Sequence, residues 1–166
     1  HAVHHVDLDL DASTALRFHM GELLASVPWR AAQIVVIGVT PLTYSYWQTG
    51  LFMSILFHHS NARLPVKLDQ ILSRILVTPA MHGIHHSRIR SETDSNWSSG
   101  LSIWDRLHGT MRRDVPQREI IIGVPAYHDP AQVTLPKVLL MPLYDQKDVW
   151  QIPGHVASHG VTVSES

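Results

Sequence analysis

The chain has 166 residues, with 13 Lys and Arg against 14 Asp and Glu and a formal net charge of -1 at pH 7. This length suits one domain with its own core, and a nearly neutral chain without a basic run argues against a nucleic-acid partner. The lack of cysteine excludes disulfides, thiolate zinc sites, iron–sulfur clusters and a cysteine nucleophile. Metal chemistry in this chain must therefore use nitrogen and oxygen ligands, and 13 histidines are present to supply them.

The chain opens with a histidine triplet, which consists of His1, His4 and His5. Residues three and four apart lie on the same side of an α-helix, so this spacing predicts a helix that directs all three rings to one point. Residues 13 to 26 predict the next helix, with Ser13 or Asp11 as its N-cap and Pro28 as the residue that ends or redirects it.

Residues 31 to 57 contain no charged side chain and are mostly apolar. A single helix of this length would extend about 40 Å, which exceeds the roughly 30 Å of hydrocarbon in a bilayer, and Gly38 and Pro41 interrupt its middle. We therefore expect two shorter helices, which form a hairpin that dips into the bilayer or one kinked span. A buried helix pair in a soluble core is the alternative. Arg63 and Lys67 would mark the cytoplasmic side.

The second half of the chain repeats the histidine pattern with the same spacing, in His82, His85 and His86. Before this triplet, residues 67 to 78 predict an amphipathic helix closed by Pro79. After it, residues 101 to 107 predict a helix that Gly109 terminates. Residues 120 to 124 are compatible with one short strand, and the many prolines beyond residue 113 predict a mostly irregular tail.

Two triplets of one spacing predict a metal site built between separate helices. Neutral imidazole suits iron, copper, zinc and nickel, so the site should hold a transition metal. His58, His59 and His19 are available to complete the shells, and the resulting seven to nine candidate histidines exceed the ligands that one zinc ion takes, so a binuclear centre accounts for the number. Asp7, Asn61 and Asn96 are candidates for orienting ring N–H groups, with helix capping or a solvated loop as the alternative for each.

Several short segments follow one another in a characteristic order: HAVHHVD at 1–7, TALRFH at 14–19, HSN at 59–61, HGIHHS at 82–87, NW at 96–97 and WDRLHGT at 104–110. Together they resemble the fatty acid hydroxylase and sterol desaturase superfamily, and the resemblance covers residues 1 to about 112. It implies an all-α, membrane-associated helical bundle with a cytosolic, histidine-lined metal site. Residues 1–112 would form the catalytic domain, without its N-terminal part, and residues 113–166 a C-terminal tail.

The resemblance also implies a function and partners. Members of this superfamily are integral membrane enzymes with two iron ions, for which zinc is a conceivable substitute. They use O2 to hydroxylate or desaturate a C–H bond of a fatty acyl or sterol-like lipid. Because the chain has no flavin, nicotinamide or haem motif, the electrons would come from a separate donor, cytochrome b5 or a ferredoxin with its reductase.

Carried over residue by residue, the metal ligands are His1, His4, His5, His59, His82, His85 and His86. His58 and His19 are second choices, and His19 lies in a segment that resembles the family's Arg-x-His-Pro-x-Glu pattern, with Met20 in place of the proline. His108 replaces an aromatic residue of the family pattern and is interpreted as a packing residue. The superfamily has a further histidine motif upstream of the first triplet, so we expect residues before His1 to complete the metal shell.

Two other functions remain open at the level of the sequence. A zinc-dependent hydrolase would use one histidine triplet, a water molecule and a general base such as Glu22. A non-catalytic metal-binding membrane protein would bind metal without oxidising any lipid. Metal analysis together with a test for O2-dependent lipid oxidation would separate all three.

Overall fold

A computed structural model describes residues 2–127 and 129–144 of the chain. Its α-helices are α1 (Ala2–His5), α2 (Met20–Ile37), α3 (Pro41–His59), α4 (Val66–Leu72), α5 (Pro79–His85), α6 (Arg90–Thr93), α7 (Ile103–His108) and α8 (Leu135–Leu140). Single 3-10 turns lie at Thr14–Leu16, Gln117–Glu119, Pro125–Tyr127, Pro130–Gln132 and Met141–Leu143. The described part of the chain contains no strand, which confirms the all-α prediction there. Predictions for His1 and for residues 145–166 lie outside the described residues.

The helix predicted over residues 13 to 26 was wrong in its start. Asp11 Oδ1 accepts hydrogen bonds from the amides of Ser13 at 2.7 Å and Thr14 at 3.3 Å, and it thereby caps only the short Thr14–Leu16 turn. The Asp11 side chain thus satisfies the first amides of this turn, and the long helix begins four residues after the turn ends, with a different cap.

The predicted end of that helix at Pro28 was also wrong. Helix α2 has His19 as its N-cap, whose Nδ1 accepts from the Gly21 amide at 3.1 Å, and it continues through Pro28 to Ile37. A proline removes one amide donor from the helical ladder, and the strong helix formers that follow it at residues 30–33 favour continuation of the helix past this gap.

The predicted break at Gly38 and Pro41 is confirmed. Gly38 ends α2 with φ 72°, a left-handed conformation that glycine adopts at low cost. Thr40 then caps α3, its Oγ1 accepting from the Thr43 amide at 3.2 Å, and Pro41 occupies the first turn. The charge-free segment therefore forms two helices joined by a tight turn, which we call the α2–α3 hairpin.

The α2–α3 hairpin exposes most of its apolar surface. No side chain of α2 is buried, and α3 buries only His58 and His59 at its C-terminal end. Val36, for example, is 84% exposed and Tyr46 72% exposed. Within residues 2–127 and 129–144, none of the helices combines the length and the apolar character required to cross a bilayer.

The proline expected to close a helix at residue 79 instead begins one. Helix α4 ends at Leu72, and a turn over residues 73–75 follows, after which the Val77 amide donates to the Gly100 carbonyl at 2.8 Å. Thr78 then caps α5 with Pro79 in its first turn. Proline suits this position because the first helical residue needs no amide donor, and its ring fixes φ near the helical value.

The last two predicted elements had opposite outcomes. Helix α7 ends at Gly109, with φ 70°, as expected. The strand expected near residue 122 does not form, because Ile122 makes only an isolated bridge with Ser87 and has no further strand to pair with. Up to residue 144 the tail consists of short 3-10 turns and α8.

Two packing contacts position the histidine-bearing helices. Helix α3 packs mainly against α5, which is buried along most of its length. A small apolar core joins α1 to the tail and contains Val3, Val6, Val124, Tyr127 and Met141. The tail therefore folds back onto α1, and the C-terminal end of α3 meets α5.

Candidate metal centre

Seven histidines come together from three helices. They are His4 and His5 on α1, His58 and His59 at the end of α3, and His82, His85 and the C-cap His86 on α5. Each of these side chains is at most 6% exposed. We call this set the histidine cluster. Buried histidine rings at this density are unusual, because each ring nitrogen requires a partner when water is excluded.

Four of the rings form a tight inner group. The Nε2 atom of His59 lies 3.0 Å from His4 Nε2 and 2.9 Å from His82 Nε2. His86 Nε2 lies 3.1 Å from His82 Nε2. One nitrogen from each of these four residues lies within 4.8 Å of all the others. His4 of the first triplet, His82 and His86 of the second triplet, and His59 therefore lie close together at one place.

The other three rings surround this inner group. The ring centre of His58 lies 4.2 Å from that of His82. His5 stacks on His86 at 4.4 Å and meets His85 edge-on at 4.7 Å. The cluster is therefore continuous, and His58, a second choice at the level of the sequence, belongs to it.

Backbone carbonyls orient two of the rings. His59 Nδ1 donates to the Ile55 carbonyl at 2.9 Å. His85 Nδ1 lies 2.8 Å from the Thr93 carbonyl and 2.9 Å from the Ser95 carbonyl. A proton on Nδ1 leaves Nε2 with a lone pair, and this is the arrangement typical of metal-binding histidine.

The donor set fits a transition metal ion. With its proton on Nδ1, the His59 ring directs the lone pair of its Nε2 toward the ring nitrogens of His4 and His82. Hydrogen bonds among the histidines alone therefore cannot satisfy every ring nitrogen of the inner group. The Nδ1 atoms of His58, His82 and His86 are buried without a hydrogen-bond partner. Two nitrogens that bind one ion at about 2.1 Å and at right angles to each other lie about 3.0 Å apart. This distance is close to the Nε2–Nε2 distances observed in the inner group. Nitrogen donors of this kind suit iron, zinc and copper.

Burial keeps these imidazoles in the neutral, metal-binding form. Burial, followed by the neighbouring histidines, lowers the pKa of His4 to about 4 and that of His5 to about 2. The same causes hold the pKa values of His82 and His86 well below the usual range. At neutral pH the rings therefore carry lone pairs rather than charge, and metal binding displaces few protons.

Asp7, a predicted orienting residue, acts on the cluster indirectly. Its carboxylate accepts a hydrogen bond from Thr14 Oγ1 at 2.7 Å and pairs with Arg17 Nη1 at 2.9 Å. Backbone groups of Thr14 and Arg17 in turn act on the His4 ring and raise its pKa, against the larger lowering by burial. The carboxylate thus holds a segment that lies beside a histidine of the cluster.

Asn96, the second predicted orienting residue, supports α5 from outside the cluster. It is fully buried at φ 51°, a left-handed conformation that asparagine tolerates better than most residues. Its Nδ2 donates to the Met81 carbonyl at 2.8 Å and to the Arg112 carbonyl at 2.9 Å, and its Oδ1 accepts from the Arg112 amide at 2.8 Å. Asn61, the third, is exposed on the segment after α3.

The structure does not bring His19 into the cluster. Its Nδ1 accepts from the Gly21 amide, and its Nε2 donates to the Leu139 carbonyl at 3.0 Å, so both ring nitrogens are engaged elsewhere. His108 is exposed, with Nδ1 2.7 Å from the Trp104 carbonyl. His1 lies outside the described residues.

The groups that surround His85 are not indicated by the sequence. Thr93 and Ser95 contact it through backbone carbonyls, which leave no side-chain signal in a sequence. Asp105, only 1% exposed, accepts from the Ser98 amide at 3.2 Å and from Thr110 Oγ1 at 2.8 Å, and its charge acts on His85. Asp105 lies in the WDRLHGT segment at 104–110, which is one of the segments that resemble the family. The residue type alone does not indicate a role for its carboxylate.

The fold and the site together define a helical protein with a buried cluster of histidines that could hold a metal ion. A model of the fatty acid hydroxylase family matches residues 1–110, and the chain belongs to this family. It is 29% identical over 126 residues to ornithine lipid hydroxylase OlsE of Rhizobium tropici and 31% identical over 127 residues to alkylglycerol monooxygenase of Homo sapiens.

Each of these alignments covers 75% of this chain. It covers 37% of the Rhizobium protein and 26% of the human protein, so the chain spans about a third or less of the length of these relatives. No solved structure matches the chain.

Proposed function

We propose that this protein is the histidine-cluster part of an O2-dependent oxidoreductase with two iron ions, which hydroxylates or desaturates a C–H bond of a lipid. The observation that carries the proposal is the convergence of His4, His59, His82 and His86, whose ring nitrogens lie within 4.8 Å of one another in a buried site. Membership of the fatty acid hydroxylase family supports lipid oxidation, as do relatives named for hydroxylating ornithine lipids and for oxidising alkylglycerols.

The proposed ligands are the seven residues of the histidine cluster together with His1. His4, His59, His82 and His86 would hold one ion, and His5 and His85, whose ring centres lie 4.7 Å apart, would contribute to the other. His19 is left out because both of its ring nitrogens have other partners. Asp7 and Asn96 would act from outside the ligand set, through the backbone segments that they hold.

When bound, the iron ions would supply the activation of O2. The chain itself provides neutral imidazoles, because burial depresses their pKa values. It also keeps water away from the site, since every ring of the cluster is nearly inaccessible. Exclusion of water by the buried rings would limit side reactions at the metal site.

The α2–α3 hairpin is the proposed attachment to the membrane. Its exposed apolar side chains would be stabilised by lipid, and α3 ends at His58 and His59, so the base of the hairpin adjoins the cluster. A lipid substrate would thus remain close to the bilayer while it meets the metal site, which we place on the cytosolic side. Electrons would come from cytochrome b5 or from a ferredoxin with its reductase.

Within this proposal, residues 1–112 form the catalytic domain and residues 113–166 the C-terminal tail. A zinc-dependent hydrolase is the rival function. The base suggested for it, Glu22, lies in the first turn of α2 and is exposed rather than in the cluster.

The proposal is tested on the protein purified in detergent, with its bound metals counted by mass spectrometry. We expect iron in the preparation and O2-dependent formation of hydroxylated or unsaturated lipid when a reducing system is supplied. Lipid extracts incubated with and without O2 provide the control. One zinc ion per chain with hydrolysis that continues without O2 would refute the proposal.

A further inference from the structure

An apolar cleft of about 380 Å³ lies beside the histidine cluster. The first part of the chain forms one wall, and the tail segment that includes α8 forms the other. Eight of its ten lining side chains are apolar, among them Val3, Val6, Leu16, Phe18, Val138 and Leu139. Its size lies in the range of pockets that bind small ligands. The tail, for which the sequence indicated no role, thus builds half of a cavity next to the proposed metal centre.

One aromatic ring connects the cleft to the cluster. Phe18 lines the cleft and stacks on His4 with a ring separation of 5.4 Å and an interplanar angle of 5°. Val3 and Val6, which also line the cleft, flank His4 and His5 on α1. A ligand in the cleft would therefore be one ring away from the inner group of histidines.

Both polar side chains of the cleft have partners within the protein. Arg17 pairs with Asp7 at 2.9 Å. His19 uses both ring nitrogens, on the Gly21 amide and on the Leu139 carbonyl. A peptide backbone or a sugar would lose its hydrogen bonds to water on entering such a site, at a cost of about 1–3 kcal/mol for each unpaired group. A hydrocarbon chain has no such groups to lose.

We infer that the cleft binds the alkyl chain of the lipid substrate and directs it past Phe18 toward His4. This inference rests on the proposed lipid oxidation and adds the place at which the chain is held. Helix α2 begins at Met20, directly after His19, and Met20, Leu23 and Leu24 in its first turns are exposed. Apolar side chains thus continue from the cleft into the α2–α3 hairpin, which gives an alkyl chain a route from lipid to the cluster.

The inference is tested by photolabelling. The protein in lipid nanodiscs is incubated with a long-chain 1-O-alkylglycerol that carries a diazirine near the middle of its chain, and the labelled peptides are identified by mass spectrometry after illumination. We expect label on residues 3–18 and 133–139. Leu139→Trp, which fills the cleft from a side chain 47% exposed, should reduce this labelling several-fold and leave bound iron unchanged.

Leu143→Trp is the matched control, since Leu143 also lies in the tail, is 76% exposed and does not line the cleft. Its labelling should equal that of the unmodified protein. If Leu139→Trp fails to fold, Leu135→Trp fills the same cleft from a side chain 72% exposed.

Label confined to α2 and α3 and insensitive to the cleft-filling variant would overturn the inference. The same preparations are assayed for iron and for oxidised lipid, so that failure of the alkyl-chain site and failure of the proposed lipid oxidation can be distinguished. Bound iron and oxidised lipid, together with label outside the cleft, would refute only the binding of the alkyl chain in the cleft. Label in the cleft without iron or oxidised product would support an alkyl-chain site and refute the oxidation.

Discussion

The histidine cluster and the α2–α3 hairpin reverse the usual distribution of polarity in a folded chain. The cluster buries seven titratable side chains, none of them more than 6% exposed, whereas α2 buries no side chain at all. Val36 and Trp29 in the hairpin are 84% and 67% exposed. Each arrangement is costly in water alone, because buried ring nitrogens need partners and exposed apolar surface gains from being covered.

The comparison indicates that each region is adapted to a partner other than water. For the cluster we propose a transition metal, since the inner group His4, His59, His82 and His86 offers neutral nitrogens at a spacing close to that around one ion. For the hairpin we propose lipid. Metal binding and lipid binding are therefore separable properties, and substitutions in one region should leave the other intact.

The largest effect is expected from His82→Ala, because His82 Nε2 lies against both His59 and His86. Loss of this ring should abolish bound iron and reduce lipid oxidation to background, while association with lipid vesicles persists. His108→Ala is the control, since His108 is exposed and outside the cluster, and it should retain full iron content. Metal analysis of both purified variants checks this, and equal iron in the two would contradict the assigned ligand set.

Acid should destabilise the metal-free protein through the cluster and not through the hairpin. Burial lowers the pKa of His4 to about 4 and that of His5 to about 2, from 6.5 when unfolded. Below about pH 6.5 the unfolded chain therefore binds more protons than the folded one, so stability is complete above this pH and decreases as the pH falls toward the folded pKa values. The slope is up to about 1.4 kcal/mol per pH unit for each such histidine.

Urea unfolding of the metal-free protein between about pH 7 and about pH 5 measures this loss. His108→Ala should show the same pH dependence as the unmodified protein. A stability that does not change over this range would mean that the rings of the cluster are accessible to protons in the folded state.

Asn96→Ala tests whether the support of α5 matters to the cluster. The substitution removes three hydrogen bonds of a fully buried side chain and leaves the Met81 and Arg112 groups without these partners. We expect a loss of about 2–4 kcal/mol in the free energy of unfolding, together with weaker iron binding. Asn61→Ala, at an exposed position, should change stability by less than about 0.5 kcal/mol. Similar denaturation midpoints for the two variants would exclude a supporting role for Asn96.

The smallest effect is expected in the hairpin. Val36→Ser should weaken association with lipid vesicles by about 1–2 kcal/mol, because an exposed apolar side chain is replaced by a polar one, and should leave iron content unchanged. Val36→Leu is the matched control and should bind vesicles at least as well as the unmodified protein. If the serine and leucine variants float equally well with lipid vesicles, the hairpin is not the surface that contacts the membrane.

Local signals predicted some elements well and failed at others. The break at Gly38 and Pro41 and the stop at Gly109 follow from backbone preferences that act over a few residues, and both are observed. Pro28 and Pro79 were misinterpreted because a proline is compatible with a helix start, a helix end or an interrupted helix, and only the surrounding packing selects one of these. The strand expected near Ile122 lacks a neighbouring strand, which its own residues do not encode.

For the candidate site, the sequence by itself determined the kind of chemistry. Two triplets of one spacing and an absence of cysteine specify nitrogen ligands on helical faces, because helical periodicity is a local property of the chain. Only the tertiary structure decided which other histidines join them. It buries His58 against His82 and turns His19 toward the Leu139 carbonyl, although both were second choices with equal standing in the sequence.

The supporting contacts were also beyond the reach of the sequence. The carbonyls that orient His59 and His85, and the cleft that the tail forms against Phe18, depend on segments brought together by the packing of α1, α3, α5 and α8. Residue type and spacing specify what a side chain can bind. Its actual partner depends on contacts between residues distant in the chain, and these form only when the helices pack.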